Sequence, residues 1–168
     1  MKRLTIVRHA KSSWDNSSTP DADRPLSARG ERDAPVMGAR LAGRGSRPSL
    51  ILTSPADRAI STARILARAL SYPQEFLQSE RDLYLAGTAD LLQVIARQDS
   101  RCSDLMLVGH NPGLTDLANR LVGDYWLDNL PTAGVVALDC DTEDWGTIAT
   151  HPVQLAYFDY PKNTETRS

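Results

Sequence analysis

The sequence predicts an α/β sandwich, in which helices cover a sheet of largely buried strands. Short apolar runs rich in branched residues alternate along the chain with amphipathic helical patterns. The first three runs are continuous rather than alternating between apolar and polar residues, which is typical of strands buried on both faces of a parallel sheet. A length of 168 residues fits one domain. We assign residues 1–158 to this domain and the polar residues 159–168 to a flexible tail.

The apolar runs predict five strands, over residues 4–7, 50–52, 105–108, 135–138 and 153–158. Apolar residues spaced three and four apart predict helices around residues 60–70, 91–95 and 114–122. A further helix is expected over residues 28–44, where Pro35 should start, kink or break it. Ligands of such sheets bind beyond the carboxyl ends of the strands, so the residues after each strand are the place to look for a site.

Composition and charge limit the classes of partner and ligand that this protein is expected to bind. A net charge of −2 argues against a nucleic-acid partner. Of the 19 cations, 16 are arginines, and residues 1–68 carry 13 cations against 6 acids, whereas residues 69–168 carry 6 against 15. An arginine-rich, positive first part indicates a bound anion, although an arginine-favouring codon usage would give the same excess.

The chain shows the features of a cytoplasmic protein. Cys102 and Cys140 lack the spacing of a metal site, and we expect free buried thiols rather than a bridge. The apolar run after the basic N-terminus is only four residues long, too short for a signal peptide or a membrane span. No membrane partner is therefore expected.

Anion-binding residues follow three of the predicted strands. Arg8 and His9 end the first strand, Arg58 comes shortly after the second, and His110 follows the strand that ends at Val108. If these strands are neighbours, two arginines and two histidines converge on one point.

The two helices that start beside these residues favour the same ligand. Ser54 precedes Pro55 and Asn111 precedes Pro112, which predicts in each case an N-cap residue followed by a proline in the first turn. Both helix N-termini would then direct unpaired N–H groups and a partial positive charge at the cleft.

Histidines among arginines suit phosphoryl transfer. A neutral imidazole can attack phosphorus and form a covalent phosphohistidine, and surrounding cations keep the ring neutral and stabilise the transferring phosphoryl group. The second histidine, if protonated, would add one more donor. Asp57 is the one acid within the three motifs, so we expect neither a metal nor another cofactor.

Three segments carry a resemblance to a known family. Residues 8–14 (RHAKSSW), 54–59 (SPADRA) and 109–112 (GHNP) resemble the signature segments of the histidine phosphatase superfamily, and the chain is most similar to its SixA-type phosphohistidine phosphatases. Residues 23–30 and 130–134 add to the resemblance, which covers roughly residues 3–140. It implies a three-layer α/β/α sandwich with a mostly parallel central sheet.

The resemblance also implies roles for individual residues. His9 becomes the phosphorylated nucleophile, and Arg8, Arg58 and His110 complete the phosphate pocket. By the same analogy Thr132 reaches the site, and Asn111 is assigned as a further substrate contact. Ser12 lies on the loop over the cleft, where it serves either substrate recognition or the packing of the loop. Independently of the resemblance, three other arginines near the motifs could extend the positive rim of the site, but a solvated helix or loop face is the preferred assignment: Arg24, Arg29 and Arg64.

The chain departs from the family pattern at two places. Where phosphoglycerate mutase-like members carry a glutamic acid, this chain has Leu85, and the nearest carboxylates are Glu80 and Asp82. Asp15 stands where those members often have an asparagine, and a carboxylate there would repel phosphate unless it points away. An alkoxide leaving group needs a proton, whereas imidazole is a far weaker base and can leave with help from water, Glu80 or Asp82.

These observations predict a metal-independent phosphatase that hydrolyses phosphohistidine, on a protein or a small mimic, through His9. A small-molecule phosphomonoesterase with the same pocket is the nearest alternative. The short chain leaves little room for a lid that would enclose a small metabolite, which favours a phosphorylated protein as the partner. A catalytically silent module that docks phosphoproteins is a second alternative, and a mutase a third.

Overall fold

The structure, a computed structural model, describes residues 1–164. The strands are β1 (Lys2–Arg8), β2 (Leu50–Thr53), β3 (Gln78–Ser79), β4 (Asp104–Gly109), β5 (Val135–Cys140) and β6 (Val153–Asp159). The α-helices are α1 (Ala28–Gly43), α2 (Asp57–Ala69), α3 (Thr88–Ala96) and α4 (Gly113–Val122). Four short 3₁₀ turns cover Asp21–Asp23, Gln74–Phe76, Arg81–Leu83 and Trp145–Thr150.

The six strands form one sheet in the order β3-β2-β4-β1-β5-β6. The pairs β1–β4, β2–β4 and β2–β3 are parallel, whereas β5 runs antiparallel to both β1 and β6. The mostly parallel sheet and all five predicted strands are confirmed. Because β1, β2 and β4 are adjacent and parallel, their carboxyl ends meet at one edge of the sheet, as the motifs require.

Helices cover both faces of the sheet. On one face, α1 and α2 pack with alternate residues of the central strands, such as Val7 and Met106. On the other face, α3 and α4 pack with the intervening residues of the same strands, such as Ile6 and Leu107. This arrangement buries β1 and β4 on both sides and explains why their central residues do not alternate between apolar and polar. The predicted three-layer sandwich is confirmed.

Two elements differ from the prediction. The edge strand β3 was not predicted, because its two residues are exposed and carry no apolar pattern. Helix α1 neither starts nor breaks at Pro35 but continues through it. Pro35 lies on the exposed side of α1, where water can satisfy the carbonyl group that loses its helical partner, while Met37 and Leu41 hold the other side in the core.

The predicted N-caps of α2 and α4 are wrong by one or two residues. The N-cap residue of α2 is Ala56, and the Ser54 hydroxyl accepts a hydrogen bond from the Ala56 amide before the helix begins. Helix α4 is preceded by Pro112, whose peptide bond with Asn111 is cis. The Asn111 side chain nevertheless accepts a hydrogen bond from the Thr115 amide at 3.2 Å. It therefore satisfies an N–H group of the first turn although it lies one residue before the N-cap position.

The predicted tail begins too early. Asp159 is the last residue of β6, only 1% exposed, and pairs with Arg40 of α1 at 3.1 Å. Arg40 also donates to the carbonyl groups of Tyr160 and Pro161, so the chain is packed beyond residue 158. The end of the predicted tail, residues 165–168, lies outside the described residues.

Both cysteines are free thiols, as predicted, with Cys140 buried and Cys102 partly buried. Within residues 1–164, no helix combines the length and the apolar character needed to cross a membrane.

Gly113, the first residue of α4, allows a close approach between that helix and the segment before α3. A Cβ at this position would lie 1.9 Å from the carbonyl oxygen of Ala86. We expect Gly113→Ala to lower the free energy of unfolding by about 2–3 kcal/mol, because backbone must move to relieve the overlap. In matched urea titrations, Gly43→Ala, where nothing lies within 4 Å, should leave stability unchanged or raise it. Equal effects of the two substitutions would contradict this packing.

Candidate active site

A pocket of about 290 Å³ lies at the carboxyl ends of β1, β2 and β4. It is lined by Arg8, His9, Lys11, Ser12, Trp14, Asp21, Arg24, Arg58, Leu85, His110, Asn111 and Thr132. The lining thus contains four cationic side chains and one carboxylate. A larger depression of about 700 Å³ lies near the amino end of β2, around Arg47 and Tyr72, and neither His9 nor His110 lines it.

His9 directly follows β1 and is 8% exposed. Its Nδ1 lies 2.7 Å from the carbonyl oxygen of Ala10, which can only accept, so Nδ1 carries the proton. The pKa of His9 is lowered to about 4, mainly by burial and further by Arg58, Arg8 and Arg24. At neutral pH the ring is therefore neutral, with a free lone pair on Nε2.

His110 directly follows β4, and its ring centroid lies 5.2 Å from that of His9. Its Nε2 lies 2.7 Å from the Ser54 hydroxyl, and its Nδ1 faces an N–H group of Arg58 at 3.5 Å. An arginine N–H can only donate, so Nδ1 accepts and Nε2 carries the proton. Burial, His9 and Arg58 lower the pKa of His110 to about 3, so the ring is neutral at pH 7 rather than the cationic donor considered from the sequence.

Arg58 is the second residue of α2 and is 2% exposed. It donates to the backbone carbonyl of Asp21 at 2.6 Å and to its carboxylate at 2.9 Å. One turn along α2, the Thr62 hydroxyl donates to the Arg58 carbonyl and accepts from the Ala10 amide. This link ties the start of α2 to the residue after His9.

Arg8, the last residue of β1, donates to the Leu130 carbonyl at 2.9 Å, and burial lowers its pKa. It remains a cation at any ordinary pH. The Nε atoms of both Arg8 and Arg58 are buried and have no hydrogen-bond partner among the described residues. Unpaired buried N–H groups are costly, and an anion is the ligand that offsets such a cost most effectively.

Two charged residues of the pocket, Arg24 and Asp21, were not assigned to it from the sequence. Arg24 was assigned to solvated surface, which is wrong: it is 7% exposed and donates to the Ser12 hydroxyl at 2.6 Å. Asp21 accepts from Arg58, from Arg24 and from the Tyr84 hydroxyl, and these partners lower its pKa to about 2. The spacing of Asp21 and Arg24, three residues apart in a turn, was the one signal for this pair.

The remaining predicted residues divide into two groups. Those that line the pocket are Ser12, Asn111 and Thr132. Glu80 and Asp82 do not line it, because both pair with Arg97 at 3.3 Å. Asp15 is exposed and also outside the lining, so its carboxylate does not oppose an anion there. The surface positions of Arg29 and Arg64 agree with the prediction.

Two exposed apolar side chains, Trp14 and Leu85, belong to the lining of the pocket. Trp14 is 69% exposed, and its ring stacks on the Arg24 guanidinium, 3.6 Å from the ring centroid. Leu85 is 57% exposed and has a φ of 50°, a left-handed conformation that is uncommon for a residue with a Cβ. Leu85 thus stands at the pocket in the position where the resemblance leads one to expect an acid.

Comparison with known proteins gives the family. Residues 4–85 match the model described as histidine phosphatase superfamily (branch 1). An uncharacterized protein of Picosynechococcus sp. is 34% identical over 142 residues, which are 80% of this chain and 83% of that protein. The chain belongs to the histidine phosphatase superfamily. An uncharacterized chloroplastic protein of Arabidopsis thaliana is 37% identical over 130 residues, which are 73% of this chain and 60% of the plant protein.

A solved structure agrees with this membership. The crystal structure of the "putative phosphohistidine phosphatase SixA" of Agrobacterium tumefaciens has a TM-score of 0.82 and 29% identity, and the match covers 95% of this chain and 98% of that one. Membership of the histidine phosphatase superfamily and this similarity support phosphatase activity. Among residues 1–164, no group of three or more His, Cys, Asp or Glu side chains is arranged to hold a metal ion.

The two buried histidines should make stability depend on pH. Their pKa values, about 4 and about 3, lie below the ordinary value of 6.5, so the unfolded chain takes up protons that the folded protein does not. We therefore expect the free energy of unfolding to fall between pH 7 and pH 5, by on the order of 1–2 kcal/mol for each histidine. Urea unfolding at the two pH values measures this fall, which should be smaller in His110→Gln and unchanged in His151→Gln, a substitution of an exposed histidine. The same fall in all three proteins would contradict the assignment.

Proposed function

We propose that this protein hydrolyses phosphohistidine, on a protein or a small mimic, through a covalent phosphohistidine intermediate on His9. The observation that carries the proposal is the state of the His9 ring. Its Nδ1 donates to the Ala10 carbonyl, which leaves a lone pair on Nε2 in a pocket lined by four cations. A neutral, oriented imidazole in a cationic pocket is suited to attack on phosphorus.

The reaction has two steps. In the first, Nε2 of His9 forms a bond to phosphorus while the bond from phosphorus to the substrate nitrogen breaks, and the electron pair stays on that nitrogen. Arg8, Arg24 and Arg58 bind the equatorial oxygens, on which negative charge is spread in the transition state. In the second, a water oxygen displaces His9 from phosphorus, and the water proton passes to phosphate or solvent.

His110 joins the pocket differently from the arginines. Its neutral ring presents Nδ1 towards Arg58. A phosphoryl dianion beside His110 favours the protonated ring, because an opposite charge raises a histidine pKa. The protonated ring then adds a positive charge beside the phosphoryl group. His110 therefore strengthens binding most once the substrate is in place.

The leaving group is the argument for a phosphoramidate. Asp21 is the one carboxylate in the described pocket lining, and its lowered pKa makes it a poor proton donor at neutral pH. Leu85 supplies no acid in its place. An alkoxide leaving group lacks a proton donor here, whereas imidazole can leave without a strong acid.

The exposed mouth supports a protein-borne substrate. Trp14 and Leu85 lie at its edge and are largely exposed, so an outstretched phosphorylated side chain can enter while neighbouring residues of the partner pack against them.

The proposal is tested by comparing kcat/KM for a histidine-phosphorylated peptide with that for glucose 6-phosphate, under identical conditions. We expect a strong preference for the peptide. A clear preference for the sugar phosphate would indicate a small-molecule phosphomonoesterase. Tight binding of the phosphopeptide without turnover would indicate a silent docking module.

A further inference from the structure

We infer that Asp21 recognises the leaving group, which is the histidine ring of the substrate. One nitrogen of that ring, the proximal one, carries the phosphoryl group, and the Asp21 carboxylate binds the protonated other nitrogen, the distal one. This inference rests on the proposed function and deepens it. It makes Asp21 the residue that selects a cationic nitrogen heterocycle over an anionic or neutral leaving group.

The position of Asp21 suits this role. Its side chain is 44% exposed, whereas that of its partner Arg58 is 3% exposed. Asp21 thus contacts a buried arginine while its own side chain stays partly exposed at the opening of the pocket. The leaving group of an in-line displacement lies on the far side of phosphorus from the nucleophile, towards that opening.

The Asp21 carboxylate is also held in place as an anion. It accepts from Arg58 at 2.9 Å, from Arg24 at 3.2 Å and from the Tyr84 hydroxyl. Four oxygen lone-pair sites are available on a carboxylate, so three donors leave room for one more N–H. These partners, the Tyr84 hydroxyl foremost, lower the pKa of Asp21 to about 2, so the carboxylate is ionised at neutral pH.

The remainder of the mouth complements a flat ring. Trp14 has one face covered by Arg24 and is otherwise exposed, and Leu85 adds a second exposed apolar side chain. An imidazolium offers both an apolar ring face and a charged N–H, so it matches a mouth made of an indole, an isobutyl group and a carboxylate.

This arrangement explains how the reaction proceeds without a general acid. When the P–N bond breaks, its electron pair remains on the proximal nitrogen of the substrate ring. The proton on the distal nitrogen stays where it is, hydrogen-bonded to Asp21. The product is a neutral imidazole, so no proton needs to be added at the nitrogen that leaves.

The test compares wild type, Asp21→Asn and the matched control Asp23→Asn. Asp23 belongs to the same turn, is exposed and does not line the pocket. Each protein is assayed with a histidine-phosphorylated peptide and with p-nitrophenyl phosphate, whose leaving phenolate carries no proton and a negative charge. We expect Asp21→Asn to lower kcat/KM for the peptide at least about tenfold, because a charge-assisted hydrogen bond is lost. For p-nitrophenyl phosphate the loss should be clearly smaller, because that substrate loses only the support that Asp21 gives to Arg58, and Asp23→Asn should change neither value.

A pH profile gives a second readout. Asp21 stabilises the protonated substrate ring in the complex, so the alkaline limb of kcat for the peptide should move to lower pH in Asp21→Asn. Equal losses for both substrates, or an unmoved alkaline limb, would show that Asp21 only positions Arg58 and would overturn the inference. If wild type hydrolyses p-nitrophenyl phosphate but not the phosphopeptide, the proposed function itself fails, and the inference fails with it.

Discussion

Replacing His9 by alanine should lower kcat by more than about 10³-fold, because the nucleophile that divides the displacement into two easier steps is lost. The loss should appear with both a phosphohistidine peptide and p-nitrophenyl phosphate, since the same phosphoryl acceptor serves every substrate. Steady-state assays of purified protein measure this effect.

Two further variants separate chemistry from folding. His9→Asn retains a side-chain N–H that can donate to the Ala10 carbonyl, so it should be as inactive as His9→Ala while folding more like wild type. His151→Ala replaces an exposed histidine outside the pocket and should keep full activity. Thermal unfolding of all three variants shows that inactivity does not come from an unfolded chain. An active His9→Asn would mean that another group attacks phosphorus.

Replacing Arg58 by alanine should lower kcat/KM by about 10²–10³-fold, the usual consequence of removing one preorganised donor from a developing anion. Arg58 is nearly fully buried and fixed by Asp21, so it needs little rearrangement to bind a phosphoryl oxygen. Arg58→Lys should recover only part of the activity, because an ammonium group does not reproduce the planar donor fork of the guanidinium.

The matched control for Arg58 lies on the same helix. Arg64 is exposed on α2, and Arg64→Ala should change kcat/KM by less than about twofold, as expected for a screened surface charge. Similar losses for the two alanine variants would indicate that the general charge of α2, rather than a specific clamp, accounts for phosphate binding. Inhibition by vanadate, measured on both, distinguishes these cases without relying on turnover.

Most of the fold follows from local sequence patterns. The central runs of β1, β2 and β4 could be recognised as strands because each strand is covered by helices on both faces. Successive side chains are therefore buried on one face or the other, and most of them are apolar. The edge strand β3 could not, since Gln78 and Ser79 are exposed and pair through backbone atoms that any sequence offers. The sequence could not predict that α1 continues through Pro35, because the cost of a proline in a helix depends on which side of the helix faces solvent, and tertiary packing decides this.

The residues of the site also divide into those that the sequence predicts and those that it does not. Arg8, His9, Arg58 and His110 each adjoin a strand end or a helix start, so topology alone brings them together. Arg24 could not be assigned from sequence, because its burial depends on the fold of a loop that brings Ser12 within hydrogen-bond distance. Likewise, the pairing of Glu80 and Asp82 with Arg97 depends on how a 3₁₀ turn lies against α3. Side-chain direction in loops is set by such long-range contacts, which no local pattern encodes.

The central claim is that a phosphoryl group is carried on His9. Rapid mixing of the protein with a radiolabelled histidine-phosphorylated peptide, followed by quenching within milliseconds, tests it most directly. We predict that wild type becomes labelled, and that the label is lost in acid but retained in alkali. After proteolysis the label should be on the fragment that contains His9, and the His9→Asn variant should carry none. The absence of label on wild type during turnover, or equal labelling of His9→Asn, would contradict the account.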